Sequence, residues 1–511
     1  MFWISSMPLA VVAPWLTAWL TPMWILGLGV LGGLAILGLA WAVLWLISRP
    51  AAEAAVAHIR DGLMIYVFWI AVGLAAFSVL GPLVVTNPGE MIRSMRRLNS
   101  ATAIDQEFPI KATTDEQTID IAFRGDELRH LTVSSTEPLV ISSRSMTQRP
   151  DATANPAEEL PGVIEVSGVR DYEWYRGAEA VSPLGNTPIT RLYITNPTGF
   201  ATTLRVQIET APRYPQMAVI PVTAISVVAV FLAYIGLHAM FPKLGAVALA
   251  TSKSESAQPL YIILMSIGVL AIVLFMFVPY HTFGEDIKML KDTGFTLILV
   301  FNLIFAIWAA SSSVAEEIEG RTALTVLSKP IGRAQFILGK FFGIMWAVLL
   351  MFVVLGVTLL IVVAYKPIYD ARETSNLPPE WQSCFLEVAR TVPGLVLAFM
   401  EVSVMTALSV AISTRLPLLA NFVVCFVVYV LGHLTPSIVQ SSLNGFEPVA
   451  FVARLIATVL PILDVFNIQA AVAADKVVPW HYLGGAAIYC LLYTVLAMLL
   501  ALTLFEDRDL A

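Results

Sequence analysis

Long apolar runs divide the chain into segments that can each cross a membrane. A membrane helix needs about 20 mostly apolar residues to cross roughly 30 Å of hydrocarbon. Nine runs bounded by charge, Pro or Gly meet this requirement, and they predict nine transmembrane helices. These runs lie near residues 23–47, 63–86, 217–240, 260–280, 293–314, 341–364, 393–413, 418–436 and 482–505.

Two other apolar stretches are interrupted. Residues 4–21 contain prolines, which favours an interfacial helix, although a tenth span remains open. Residues 447–475 are broken at Pro461 and Asp464 into halves too short to cross, which predicts a re-entrant or interfacial helical pair. The polar stretch Lys366–Arg390 predicts a loop with one short helix.

Residues 88–212 carry a different pattern, in which apolar and polar residues alternate as in half-buried strands. Arg191–Thr195 and Thr202–Glu209 alternate on either side of Asn196-Pro-Thr-Gly, and this turn chemistry predicts a hairpin. Asp151–Pro161 predicts a flexible loop. The whole region is expected to form a small β-sandwich.

The predicted fold is therefore a polytopic α-helical membrane protein with about nine transmembrane helices and an inserted extracytoplasmic all-β domain. Its regions are an N-terminal membrane segment with two spans (1–87), the β-sandwich-like domain (88–212), a third span and cytoplasmic linker (213–257) and a six-span core (258–511).

Composition supports a membrane location and excludes some partners. Hydrophobic residues make up 58% of the chain and charged residues 13%, which is too apolar for one water-soluble core. The net charge is −7 and no long basic run is present, so nucleic acid is not expected as a partner. The three cysteines have no metal-ligand spacing, and no metal site is predicted.

Lys and Arg are in slight excess on one side of the predicted membrane segments. The positive-inside rule then predicts a cytoplasmic C-terminus, an extracytoplasmic N-terminus and a β-domain outside the cytoplasm. The chain is expected to be a multi-pass protein of the plasma (inner) membrane, in contact with the lipid bilayer.

The segment after the fifth span, residues 316–340, carries charges that oppose helix electrostatics. Glu316, Glu317 and Glu319 lie where a helix should be ending, and Arg333 lies near the beginning of the next one. Each such charge is unfavourable by about 0.3 to 1 kcal/mol. Either the first helix continues past Glu319, or these side chains interact with groups outside the helix, which we expect to belong to a partner protein. The alternative is an ordinary solvated loop.

The same segment resembles the signature of ABC-2 type transporter permeases. That family has an acidic pair and a Gly-x-Thr that lead into Leu-Leu-Ser-x-Pro, followed by a basic residue and a Gly-Lys at the next span. The matching residues here are Glu316, Glu317, Glu319, Gly320, Arg321, Thr322, Leu327, Lys329, Pro330, Arg333 and Lys340. The tail Phe505–Leu510 is similar to that family's cytoplasmic tail, and the resemblance covers about residues 258–511.

The resemblance implies a coupling helix at 316–340 that docks on a separate ABC ATPase subunit. It also implies a translocation path formed by two permease chains, as a homodimer or a heterodimer. ATP and Mg would be bound by the partner subunit, and no cofactor is expected in this chain. The family's connecting helix before the first core span is not obvious in Pro242–Gln258, and residues 1–240 lie outside the resemblance.

No nucleotide-binding motif or catalytic residue is apparent in the sequence. Gly339-Lys340 is preceded at the required spacing by Ala334 instead of Gly, so a phosphate-cradling loop is not expected and the chain is not expected to be an enzyme. The function indicated is a permease subunit, an exporter driven by its partner. Rival functions are a membrane-anchored sensor or scaffold that works through the β-domain, and an ion-coupled secondary transporter.

Glu401 lies near the middle of the seventh span, where an ionised carboxylate facing lipid would cost about 2.5 kcal/mol or more. It is therefore expected to face the bundle interior or a dimer seam. It could line the transport pathway, or it could be a protonated residue that hydrogen-bonds a neighbouring helix. His433, near a span end, is interpreted as an ordinary interfacial histidine.

Overall fold

The computed structural model describes residues 13–98, 103–145, 163–167, 171–176, 182–185, 188–278, 285–320, 331–442, 451, 455, 458–467 and 478–506. The chain separates into a helical unit, Met1–Thr86 with Ile220–Ala511, and a second unit, Asn87–Val219. The fold class predicted from the sequence is confirmed, because the chain is mainly helical and a small all-β region lies between α3 and α5 of the list below.

The helices are numbered in chain order. They are α1 (Pro14–Ile47), α2 (Arg49–Asp61), α3 (Met64–Leu80), α4 (Pro88–Met95), α5 (Val219–Met240), α6 (Pro242–Ser256), α7 (Pro259–Phe275), α8 (Asp286–Ala310), α9 (Glu316–Glu319), α10 (Arg333–Glu373), α11 (Trp381–Ser413), α12 (Leu418–Ser442) and α13 (Trp480–Glu506). Among the described residues, eight helices are long and apolar enough to cross a membrane. The count rises to nine if α6 and α7, bent by 65°, form one span.

The first span is longer than expected. The interfacial helix predicted at residues 4–21 is wrong for residues 14–21, because α1 runs without interruption from Pro14 to Ile47. Residues 4–12 lie outside the described residues. Pro14 occupies the first turn, where its missing N–H is not needed. Pro22 lies inside the helix, where membrane helices tolerate proline because nearby Ser and Thr side chains bond the backbone. The hydroxyl of Thr21 donates to the carbonyl of Thr17 at 2.6 Å.

The predicted loop Lys366–Arg390 is wrong for most of its length. Helix α10 continues to Glu373 and α11 begins at Trp381. Lys366 is 1% exposed and pairs with Asp370 one turn later at 2.8 Å, so the helix carries this charge without interruption. The 41 residues of α10 extend over about 60 Å, twice the hydrocarbon thickness.

The core of the helical unit lies around α10 and α11. Ile344, Val348 and Leu355 of α10 are fully buried, as are Leu397 and Val402 of α11. Because lipid is as apolar as these side chains, their packing stabilises the bundle through van der Waals contact more than through the hydrophobic effect.

The second unit is a two-sheet sandwich. Its strands are β1 (Ala103–Ile110), β2 (Gln117–Arg124), β3 (Leu128–Ser135), β4 (Leu139–Ser142), β5 (Val163–Val166), β6 (Tyr172–Tyr175), β7 (Pro188–Thr195) and β8 (Thr202–Thr210). One sheet has the order β1-β8-β3-β6 and the other β2-β7-β4-β5, and the paired strands are antiparallel. Apolar side chains of both sheets form its core, including Leu131, Trp174, Ile194 and Leu204.

The predicted hairpin of β7 and β8 is wrong. The two strands lie in different sheets, so the connection between them passes from one sheet to the other. Asn196 is fully buried, and its Oδ1 accepts hydrogen bonds from the backbone N–H groups of Thr198 and Gly199, while its Nδ2 donates to the carbonyl of Phe200. Alternation along the strands identified the buried face correctly but carried no information on which strand is the neighbour.

Candidate functional site

The segment that carries the resemblance is described in part. Glu316, Glu317 and Gly320 lie at the end of α8 and its continuation, and Arg333 and Lys340 lie in the first turns of α10. Glu319 is the last residue of α9. The predicted coupling residues Arg321, Thr322, Leu327, Lys329 and Pro330 lie outside the described residues.

The acidic residues belong to a helix that continues past the expected end of the span. After Ala310 the backbone forms a π-helix over Ser311–Ala315 and then the short helix α9, which ends at Glu319. Single π-helical turns inside membrane helices are frequent at functional sites. The helix passes the expected end of the span but does not continue past Glu319. Of the two alternatives left open by the sequence, interaction with groups outside the helix is the one observed for Glu317 and Arg333.

Glu317 is held by a cation of the same chain. Nζ of Lys340 lies 2.6 Å from its Oε1, and the Lys340 side chain is only 8% exposed. The same ammonium lies 5.5 Å from the centre of the Phe336 ring, within cation–π range. This pair ties the end of the α8 segment to the first turns of α10.

Arg333 is also compensated within the chain. Its guanidinium donates to the backbone carbonyl of Glu506, the last residue of α13, at 2.8 Å. The ring of Phe336 stacks on that of Phe505 with centroids 5.8 Å apart, and both side chains are fully buried. A cation at the C-terminal end of a helix is electrostatically favourable. Arg333 therefore stabilises the end of α13, although its charge is unfavourable at the beginning of α10.

The idea that a partner must compensate these charges is therefore wrong for Glu317 and Arg333. Glu316, by contrast, is exposed and lies one residue before the paired Glu317. Gly320 is exposed as well. The segment thus has an exposed, charged edge at Glu316 and Gly320. The Glu317–Lys340 ion pair and the stacked rings of Phe336 and Phe505 hold the adjoining residues in place.

A buried polar cluster surrounds the π-helix. Asn421 of α12 is fully buried, and its Nδ2 lies 2.8 Å from the Ser311 hydroxyl and 2.9 Å from the hydroxyls of Ser409 and Ser413 in α11. Its Oδ1 lies 3.2 Å from Sγ of Cys425. Three helices therefore meet through one amide at the end of the bundle that carries Glu317.

A second polar cluster joins the same end to α6. Oε2 of Glu255, which is 3% exposed, accepts from the Ser312 hydroxyl and from Nε2 of Gln258, each at 2.9 Å. Oε1 of Gln258 accepts from the indole of Trp308 at 2.6 Å. The clusters of Asn421 and Glu255 therefore bind neighbouring serines of one π-helix, Ser311 and Ser312.

The segment Pro242–Gln258, in which no connecting helix was obvious, contains the helix α6. Pro242 begins it, and its small residues, which lowered the expectation of a helix, allow it to lie directly against α10. A Cβ at Gly339 would lie 2.7 Å from the Cβ of Val247, and one at Gly343 would lie 2.6 Å from that of Thr251.

Replacing Gly343 by Ala should force α6 away from α10. We expect the free energy of unfolding to fall by about 1 to 3 kcal/mol, the usual effect of overpacking. Gly356→Ala, in the same helix, is the matched control, because the nearest atom that its Cβ would meet is Cδ1 of Leu395, 3.4 Å away. Thermal unfolding of the two purified variants measures the difference, and equal stability would contradict the close contact of α6 and α10.

Glu401 faces the bundle interior, as expected. Its side chain is 4% exposed and lines a cavity of about 240 Å³ with Asp292, Tyr429, His433 and other residues. Nε2 of His433 lies 3.4 Å from Oε1 of Glu401, and that oxygen accepts no hydrogen bond from any described residue. The interpretation of His433 as an ordinary interfacial residue missed this approach, because the two residues lie on different helices.

Comparison with known proteins places the chain in a family. The sequence model of the family described as ABC-2 family transporter protein matches residues 59–510. The match begins well before residue 258, so the expectation that residues 1–240 lie outside the family is wrong from residue 59 onwards. The comparisons found no curated protein and no solved structure that matches the chain.

Proposed function

Because the chain belongs to the ABC-2 family of transporter proteins, we propose that it is the permease subunit of an exporter driven by a separate ABC ATPase. The observation that carries this proposal is the end of the bundle formed by Glu316–Glu319 and the beginning of α10. There the exposed Glu316 lies next to the Glu317–Lys340 pair, which fixes the position at which a partner would dock.

Gly339 and Lys340, the residues at this end that resemble part of a phosphate-binding loop, are already engaged within the chain. Lys340 is committed to Glu317, and Gly339 lies in a helix against Val247 of α6. A phosphate-cradling loop needs free backbone N–H groups and an available Lys. ATP and Mg are therefore assigned to the partner subunit.

Coupling would pass from the docked edge into the bundle through the two polar clusters. Ser311 and Ser312 of the π-helix bind Asn421 and Glu255 respectively, so a shift of this turn acts on α6, α11 and α12 together. Two-state transport needs such an element, because nucleotide-driven closure of the ATPases must be converted into rocking of the helices. Two permease chains, identical or related, would enclose the path.

Copurification of an ABC ATPase with the chain tests this function. Affinity purification of the full chain from its native membrane should recover an ABC ATPase subunit in comparable amount. Recovery of the chain without any ATPase, under detergent conditions that keep other membrane complexes intact, would overturn the proposal.

The proposed orientation places Glu316–Lys340 in the cytoplasm and the Asn87–Val219 unit outside it. A protease of broad specificity added to intact spheroplasts should cut within Asp151–Pro161, while the segment 316–340 should be cut only after lysis. Mass spectrometry of the fragments distinguishes the two sites. Protection of the first site and cleavage of the second in intact cells would invert the topology.

A further inference from the structure

The cavity at Glu401 combines carboxylates with aromatic rings. Asp292 of α8 and Glu401 of α11 supply the acids, and Phe295, Tyr429 and Phe466 supply the rings. Carboxylates attract cations through charge, and aromatic faces attract them through the ring quadrupole. The lining is therefore suited to a positively charged organic group.

When Glu401 is ionised and His433 is neutral, the two side chains present acceptors to each other. Nδ1 of His433 lies 3.2 Å from the backbone carbonyl of Tyr429, which can only accept, so Nδ1 carries the proton of the neutral ring. Nε2 then turns a lone pair toward Oε1 of Glu401, 3.4 Å away. A donor or a positive charge next to these two atoms would satisfy both of them.

The burial of Glu401 makes the missing hydrogen bond at its Oε1 significant. The Glu401 side chain is 96% buried, and its Oε1 is without a hydrogen-bond partner among the described residues. Buried polar groups are normally satisfied, and ionisable residues inside membrane segments usually belong to a ligand or ion pathway. The unpartnered oxygen beside the cavity thus points to a ligand that carries N–H donors.

We propose that this cavity is the subsite that binds the primary ammonium group of the transported molecule. A primary ammonium has three donors and a full positive charge, which match Glu401, the Nε2 of His433 and the aromatic lining. The inference rests on the proposed transport function. An amine solute and the ammonium of a phosphatidylethanolamine headgroup share this chemistry.

The test measures binding to the purified full chain in nanodiscs of phosphatidylcholine and phosphatidylglycerol, without ATPase or nucleotide. The probes are 2-phenylethylammonium and its uncharged analogue 2-phenylethanol, by equilibrium titration at pH 7. The charged probe should bind at least tenfold more tightly. Equal affinity of the two probes would overturn the proposal, and this comparison needs no variant to fold.

Variants then assign the binding to the cavity. Glu401→Gln should weaken 2-phenylethylammonium at least tenfold and leave 2-phenylethanol unchanged. Glu380→Gln, the same change at an exposed position next to α11, should have no effect. Unchanged binding in Glu401→Gln, or equal loss in both variants, would overturn the assignment.

Nanodiscs that contain phosphatidylethanolamine separate the two sources of the ammonium group. If the lipid lowers the apparent affinity of 2-phenylethylammonium, the occupant is a headgroup, and if it has no effect, the occupant is an amine solute. Because no ATPase takes part, absence of binding overturns this subsite alone. Failure to copurify an ATPase overturns the permease function, whereas ammonium binding that depends on Glu401 would still identify the cavity as a binding site.

Discussion

Replacing Glu317 by Lys should lower the free energy of unfolding by about 3 kcal/mol, the lower end of the range for breaking a buried ion pair. The substitution places a second ammonium group beside that of Lys340, whose side chain is only 8% exposed. Glu317 itself is 32% exposed, and water there limits the loss. The same change should release the ATPase subunit, because the ion pair would no longer hold the edge at Glu316 in place. Thermal unfolding and copurification measure the two effects.

Two variants separate the ion pair from charge alone. Glu316→Lys makes the same change at the exposed neighbouring position and should change stability by less than about 0.5 kcal/mol. It should nevertheless weaken ATPase recovery if that edge is the contact. The exchange Glu317→Lys with Lys340→Glu should recover most of the lost stability. Equal stability of Glu317→Lys and Glu316→Lys would show that the pair does not fasten the segment to α10.

Replacing Asn421 by Leu should destabilise the protein by about 2 kcal/mol, since interhelical hydrogen bonds in membranes contribute about 0.6 kcal/mol each on average. Its Nδ2 approaches three serine hydroxyls, and all of these groups are fully buried. Transport should fall further than stability, because Ser311 of the π-helix would lose its connection to α12. Substrate flux compared with ATP hydrolysis in the reconstituted complex measures this uncoupling.

Asn302→Leu is the matched control. Asn302 is equally buried, but its Nδ2 donates to the carbonyl of Ile298 in its own helix, and its Oδ1 has no partner among the described residues. Losing it should change stability by less than about 1 kcal/mol and leave coupling intact. Comparable loss of flux in both variants would mean that any buried polar change disturbs transport, and that the Asn421 cluster has no special part in it.

The sequence predicted the membrane elements well, because a run of apolar residues reports directly on a helix in lipid. It failed where structure depends on a neighbour far away in the chain. The alternation in β7 and β8 could not show that their partners are β2, β4, β1 and β3. A second failure is local: the polar stretch Lys366–Arg390 was predicted to be a loop, although Lys366 and Asp370 have the spacing of a helical ion pair and α10 continues to Glu373.

The candidate site shows the same limit. Glu316, Glu317 and Lys340 were recognised from a motif, and Glu401 from the cost of a charge in lipid. The motif gave no indication that Glu317 and Lys340 pair with each other. Helix periodicity within one segment carries no information about crossings between helices, and the approach of His433 to Glu401 depends on such a crossing.

The contact of residue 316 with an ATPase subunit is the central claim, and site-specific photocrosslinking tests it most directly. A benzophenone amino acid would replace Glu316 in one variant and Leu377 in another. Leu377 is 90% exposed and lies just beyond the opposite end of α10. Irradiation of intact membranes should link position 316, and not position 377, to an ABC ATPase identified by mass spectrometry. No crosslink from 316, or an ATPase crosslink from 377, would contradict the account.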